Sequence, residues 1–186
     1  MKTNDTQNNA QHLERAPGSA APRHQHPAHP CVCWREGAVS LQSESGERGA
    51  LKPVNGVYQI GSAAELREFA KLVNGGKTDA SAVLTADINL NPDMEISEDG
   101  TVTNGSDLDP WTPIGNSINQ YRGTFDGANY TISGLYIDSE ANYQGLFGFV
   151  GSEGTVQNLS VSGSVSGNNY VGGVVGDNRG SVINCT

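Results

Sequence analysis

From about Val57 onward short apolar and polar runs alternate along this chain, with a single helical pattern soon after that point. VYQI (57–60) alternates and predicts a strand. In GSAAELREFAKLVNGG, Leu66, Phe69, Ala70 and Val73 recur at i, i+3, i+4 and i+7, one apolar helix face. Ser62 and Glu65 form S-x-x-E, which satisfies free N–H groups at a helix start. Asn74-Gly75-Gly76 permits the left-handed backbone that closes a helix. AVLTADINL (82–90) reads as a strand, with Val83, Ala86, Ile88 and Leu90 at near-regular spacing. Residues 91–109 are polar and contain Pro92, Gly100 and Gly105, which predicts an excursion loop. From Trp111 onward short apolar runs alternate with turn signals, and 14 of the 24 glycines fall in residues 115–186. Residues 1 to about 53 have no sustained apolar period. They bury too little surface to offset ordering entropy, so a disordered arm is expected there, with order beginning near Val57.

The turn-rich region repeats. YTISGLYI from Tyr130, GTVQNLSV from Gly154 and GSVINCT from Gly180 align at offsets of 24 and 26 residues. This places Ile132, Val156 and Val182 in one column and Leu135, Leu159 and Cys185 in another. Asn158 and Asn184 share a third, with Gly134 in the first copy. GTFDG, GLFG and GGVVG precede the three copies and align Phe125, Phe147 and Val175. The two-residue slippage between copies is assigned to a loop at Val150–Glu153.

Such a period means a solenoid, propeller or array. Frequent glycine excludes helical repeats, and propeller blades need about 40–45 residues each. Units of 24–26 residues fit a parallel β-solenoid whose like side chains stack. The step from Val156 to Leu159 predicts a corner at Asn158, with Asn158 laddered over Asn184. Cys185 then reads as a small buried hydrophobe. A disulfide to Cys31 or Cys33 is the alternative weighed.

Charge narrows the function classes. Residues 1–55 carry six basic and five acidic groups, and residues 56–186 carry five basic and fifteen acidic. An acidic folded part argues against nucleic acid and against anionic lipid surfaces. No apolar run reaches 18 residues, so no membrane insertion is expected. The N-terminus lacks the apolar core of a secretory signal.

WTPIG (111–115), GTFDGANYTISGLYI (123–137), GLFGFV (145–150) and VGGVVGDNRGSVINC (171–185) resemble the GLUG-motif repeats of large bacterial surface proteins. The preceding YQIGSAAELREFAKLVNGG…LTADINL resembles the helix-plus-strand module that opens such arrays. The resemblance covers about residues 57–186. It implies a right-handed β-solenoid on the cell exterior, serving as an adhesin-like stalk or binding surface without catalysis. Some immunoglobulin A1-specific zinc metallopeptidases carry the repeat ahead of their protease domain. An accessory region of such a secreted enzyme is therefore the alternative function.

Candidate chemistry is sparse. His24, His26, His29, Cys31 and Cys33 cluster within ten residues, but without the paired spacing of a structural zinc site. Asp87, Asn89, Asn91, Asp93 and Glu98 fit an EF-hand count, yet Pro92 stands where glycine is required. A looser calcium site using Asp93, Glu95, Asp99, Asp107 or Asp109 of the 91–109 loop is left open beside a solvated acidic loop. Asp126, Asp138, Glu140 and Arg122 are the nearest approach to a polysaccharide-cleaving set, but Asp126 reads as a turn residue. H-E-x-x-H and G-x-S-x-G are absent. Of Trp111, Tyr121, Tyr130, Tyr136, Tyr143 and Tyr170, the last pair stands at like repeat positions and predicts a stacked ladder.

These readings give an all-β chain: a right-handed parallel β-solenoid of about three coils, truncated, with an N-terminal capping helix. Its divisions are a disordered arm (1–55), an entry module (56–110) and GLUG-type repeats (111–186) that continue in a longer chain. The expected function is non-enzymatic and extracellular. No catalytic, cofactor or metal set is assigned, and a host protein or glycan is the expected partner.

Overall fold

A computed structural model describes residues 51–186; the His24–Cys33 cluster lies outside the described residues. Strand is the predominant regular structure of the described chain, which has one α-helix. Order begins earlier than Val57. β1 (Pro53–Val54) pairs antiparallel with β2 (Val57–Ile60) across Asn55 and Gly56, at φ +51° and +82°. Asn-Gly is the sequence that adopts this left-handed two-residue turn at least cost.

The helix α1 (Ala63–Asn74) forms as its signals predict. The Ser62 hydroxyl accepts from the Glu65 N–H at 3.3 Å, and the Glu65 carboxylate accepts from the Gly61 N–H at 2.9 Å. At the other end the Lys77 N–H donates to the Leu72 carbonyl and the Gly76 N–H to Val73, with Gly76 at φ +109°. This six-to-one and five-to-two pair is the Schellman closure. Leu66, Phe69 and Val73 are fully buried. The Phe69 ring meets Tyr58, Tyr121 and Phe125 at centroid distances of 5.7, 6.2 and 6.0 Å.

The helix also connects β2 to β3 (Ser81–Leu84), which run parallel with Tyr58 beside Ala82 and Ile60 beside Leu84. The expected single strand over 82–90 is in fact two. Thr85–Asp87 turn the chain, and β4 (Ile88–Asn89) joins a different neighbour. The inward residues are accordingly Ala82, Leu84, Ile88 and Leu90, while Val83 and Ala86 are half-buried.

Beyond the polar excursion come β5 (Thr124–Asp126), β6 (Thr131–Asp138), β7 (Phe147–Val150), β8 (Thr155–Ser166), β9 (Val175–Asn178) and β10 (Ser181–Cys185). All their pairings are parallel. The start of β8 lies between β5 and β10, with Phe125 and Val182 flanking Val156. The end of β8 pairs with β6, which in turn pairs with β4, and β7 pairs with β9. The sheet is mixed only through the β1–β2 hairpin among these pairs.

This register corrects the alignment of the first repeat copy. Ile132 pairs with Val161, not Val156, and Leu135 pairs with Gly163, not Leu159. Phe125 holds the Val156 column, whereas Phe147 pairs with Val175 as expected. The slippage therefore lies not at 150–153 but in the first corner. Gly127–Tyr130 turn the chain between β5 and β6, with Ala128 and Asn129 at φ +49° and +66°. In β8 the corner is Asn158 and Leu159, with Asn158 at φ +52°.

The asparagine ladder forms. Asn184 Nδ2 donates to Asn158 Oδ1 at 3.2 Å, and Asn158 Nδ2 donates to Asp126 Oδ1 at 3.1 Å. The Tyr143 and Tyr170 rings stack 4.8 Å apart with planes at 9°. Cys185 pairs beside Leu159 but is half-buried rather than buried, because no described strand lies across the outer edge of β10.

Candidate functional site

Beside its buried face α1 carries a polar stripe, Arg67, Lys71 and Asn74, at helical neighbour spacing, with the buried Ala70 at its border. It faces residues 109–115, some forty positions on. Two sets of contacts tie that segment to the helix. At one end the Arg67 guanidinium pairs with the Asp109 carboxylate at 3.0 Å and donates to the Pro110 and Asp109 carbonyls at 3.2 and 3.3 Å. It also lies 5.5 Å from the centre of the Trp111 ring, within cation–π range. At the other end Asn74 donates to the Pro113 carbonyl at 3.0 Å and accepts from the Gly115 N–H at 2.9 Å.

Between the two ties a cavity of about 420 Å³ stays open, lined by Arg67, Ala70, Lys71, Asn74, Gly75, Trp111 and Thr112. Its size falls in the range of about 300–1,000 Å³ typical of ligand pockets. Trp111 is buried, and its indole N–H donates to the Leu146 carbonyl at 3.0 Å, so the ring is fixed from behind. Lys71 is exposed and forms no ion pair among the described residues. A neighbouring hollow of about 260 Å³ shares Asn74 and Thr112 and is lined further by Pro113, Asn116, Asn142, Tyr143 and Gln144.

The chain is similar to halomucin of Haloquadratum walsbyi. The two are 38% identical over 164 residues, which cover 83% of this chain and 2% of halomucin. A Gly-rich membrane protein of Evansella cellulosilytica is 41% identical over 86 residues, covering 41% of this chain and 10% of that protein. The chain thus spans a small fraction of the length of the curated relatives it matches. No protein-family profile matches it. No solved structure matches it either. None of the helices among the described residues is long and apolar enough to cross a membrane.

Residues with candidate chemistry are otherwise occupied by backbone roles. Asp87 accepts from the Thr131 N–H at 2.8 Å, and Asn89 accepts from the Asn91 N–H at 3.1 Å. Asn91 is buried and closes the base of the excursion. It accepts from the Asp109 N–H at 2.8 Å and donates to the Asp109 and Gly134 carbonyls at 3.1 and 2.8 Å. Within the loop, Asp99 accepts from Ser97 and from the Thr101 N–H, contacts that hold its pKa below the ordinary carboxylate value. Asp109 turns to Arg67, and Asn104 bonds the Asp93 carbonyl and the Glu95 N–H. The possible EF-hand and calcium ligands are therefore dispersed; no three His, Cys, Asp or Glu groups converge as a metal set among the described residues.

Partial burial pushes the Asp126 pKa up, but hydrogen bonds from the Ala128 N–H, Gln157 and Asn158 outweigh it and bring the value below the usual range. The group is an acceptor at a corner. Burial raises the Tyr121 phenol pKa, and its hydroxyl donates to the Ala80 carbonyl at 2.9 Å. Of the aromatics weighed for a ligand platform, Trp111 and Tyr121 are core residues, while Tyr170 is 54% exposed. The groove itself was not singled out from sequence. The helical spacing of its polar stripe is visible there, but nothing local couples that stripe to Trp111.

Proposed function

We propose that this chain is a non-enzymatic segment of a bacterial cell-surface protein of the GLUG-repeat kind, wound as a parallel β-solenoid and serving as an adhesin-like stalk or binding surface. The observation that carries this reading is the in-register run of β5, β8 and β10. It sets Phe125, Val156 and Val182 side by side and continues at the corner as Asp126, Asn158 and Asn184. Side chains that stack by type across successive units supply each unit with a neighbour rather than a closed core of its own. The stacked Tyr143 and Tyr170 repeat the pattern on another side.

The matches to halomucin and to a protein named for the membrane support a surface setting. The small share of each that this chain covers supports a place within a longer polypeptide. Protease treatment of intact native cells tests the location. Loss of the protein without lysis supports the reading, and protection until the cells are broken refutes it. Hydrogen exchange tests the winding. Amides of β8 at Val156 and Val161 should be among the most protected, because each strand segment has parallel neighbours. Rapid exchange throughout β8 would exclude it.

A further inference from the structure

We propose that the groove between α1 and residues 109–115 binds a carboxylate-bearing sugar unit, such as a uronate within an acidic polysaccharide. This deepens the surface reading, on which it relies only for where the ligand would be met.

Three features carry the proposal. First, the groove concentrates cations in an acidic molecule. Five basic side chains stand against fifteen acidic ones in residues 56–186, yet Arg67 and Lys71 both line this one cavity. Arg67 is committed to Asp109 and two carbonyls, whereas Lys71 has no anionic partner among the described residues. A carboxylate is the group this arrangement lacks. Second, the cavity is closed at both ends by the Arg67 and Asn74 ties. A compact ring suits a cavity bounded in this way better than an extended peptide. Third, the lining is mixed. Ala70 and Trp111, both buried, form its floor, the aliphatic stems of Arg67 and Lys71 flank it, and Thr112 and Lys71 supply hydroxyl and ammonium groups for a sugar's oxygens. Asp109 already places a carboxylate against Arg67 and is 69% exposed, so it competes with an incoming acid.

Binding to the full chain can be measured by calorimetry and by the shift of the Trp111 indole N–H resonance. The probes are an oligoglucuronate, the neutral gluco-oligosaccharide of equal length and an oligoglutamate peptide. The oligoglucuronate should bind and shift the indole signal, with the neutral sugar and the peptide at least tenfold weaker. Lys71→Met should weaken the oligoglucuronate about tenfold. Lys77→Met, a charge loss outside the groove, should leave it unchanged. Asp109→Asn should tighten it about two- to fivefold by removing the internal competitor. Equal binding of the neutral sugar, equal binding of the peptide, equal effects of the two lysine variants, or no binding at millimolar concentration would each overturn the proposal. None of these results bears on whether the protein lies at the cell surface, which protease treatment of cells decides separately.

Discussion

Truncating Phe69 probes how α1 is held. The side chain has no exposed surface and touches three aromatic rings: Tyr58 on β2, Phe125 on β5 and Tyr121 just before β5. Phe69→Ala removes the ring and leaves a cavity among rigid neighbours that cannot close over it. Changes of this kind cost roughly 3–5 kcal/mol. Three ring pairs at about 0.5–1.5 kcal/mol each place this site at the upper end. For a folded part of this size that is a fall of about 10–20 °C in melting midpoint. Phe69→Leu keeps most of the volume and loses only the ring geometry, so roughly 1–2 kcal/mol is expected. Phe69→Asp places a charge with no partner in the same space and should prevent stable folding. Far-ultraviolet circular dichroism during heating, repeated in urea, reads all three. An alanine variant melting within about 3 °C of the parent would refute the view that this ring ties the helix to the strands.

Three further outcomes follow from the corners. Asp126 has a lowered folded pKa, so its stabilising contribution is present above the unfolded value of about 3.9 and is lost as pH falls through the folded one. Melting midpoints of the parent should therefore drop below about pH 4 more steeply than those of Asp126→Asn; parallel profiles would count against it. Asn158→Ala should cost about 2–3 kcal/mol, through both a left-handed backbone and the lost ladder. Asn158→Gly should cost about 1–2 kcal/mol, because only the ladder is lost, and chemical denaturation that ranks the two equally would contradict this split. Gly163 has φ +154° and a Cβ there would overlap the Leu135 carbonyl, so Gly163→Ala should destabilise by several kcal/mol. An unchanged urea midpoint would show that β6 and β8 are not apposed as described.

The helix was legible because its signals are local. Ser62, Glu65 and Gly76 each act within one turn, and the spacing of Leu66, Phe69 and Val73 needs no partner to be read. The Asn158–Asn184 ladder was legible because a fixed count of 26 residues separates two corners of the same kind. The first copy was misread because Ile132, which follows its corner, was matched with Val156, which precedes the corner of β8; the residue that follows that corner and pairs with Ile132 is Val161. The break at Thr85–Asp87 carries neither glycine nor proline, and alternation was followed straight through it. β1 is two residues long, too short to weigh against a polar arm despite the Asn-Gly beside it. The groove depends on contacts between α1 and residues about forty positions away, which no periodicity encodes.

The unequal corners bear on how such a chain can vary. Four residues (127–130) make one turn and two (158–159) make the next, yet Phe125 and Val156 remain adjacent and so do Ile132 and Val161. Insertions and deletions at a bend are thus absorbed there, without disturbing the hydrogen bonds on either side. Descendants of one ancestral unit can drift in length while their strands keep faith with their neighbours, and kinship is better sought in side-chain columns than in residue counts.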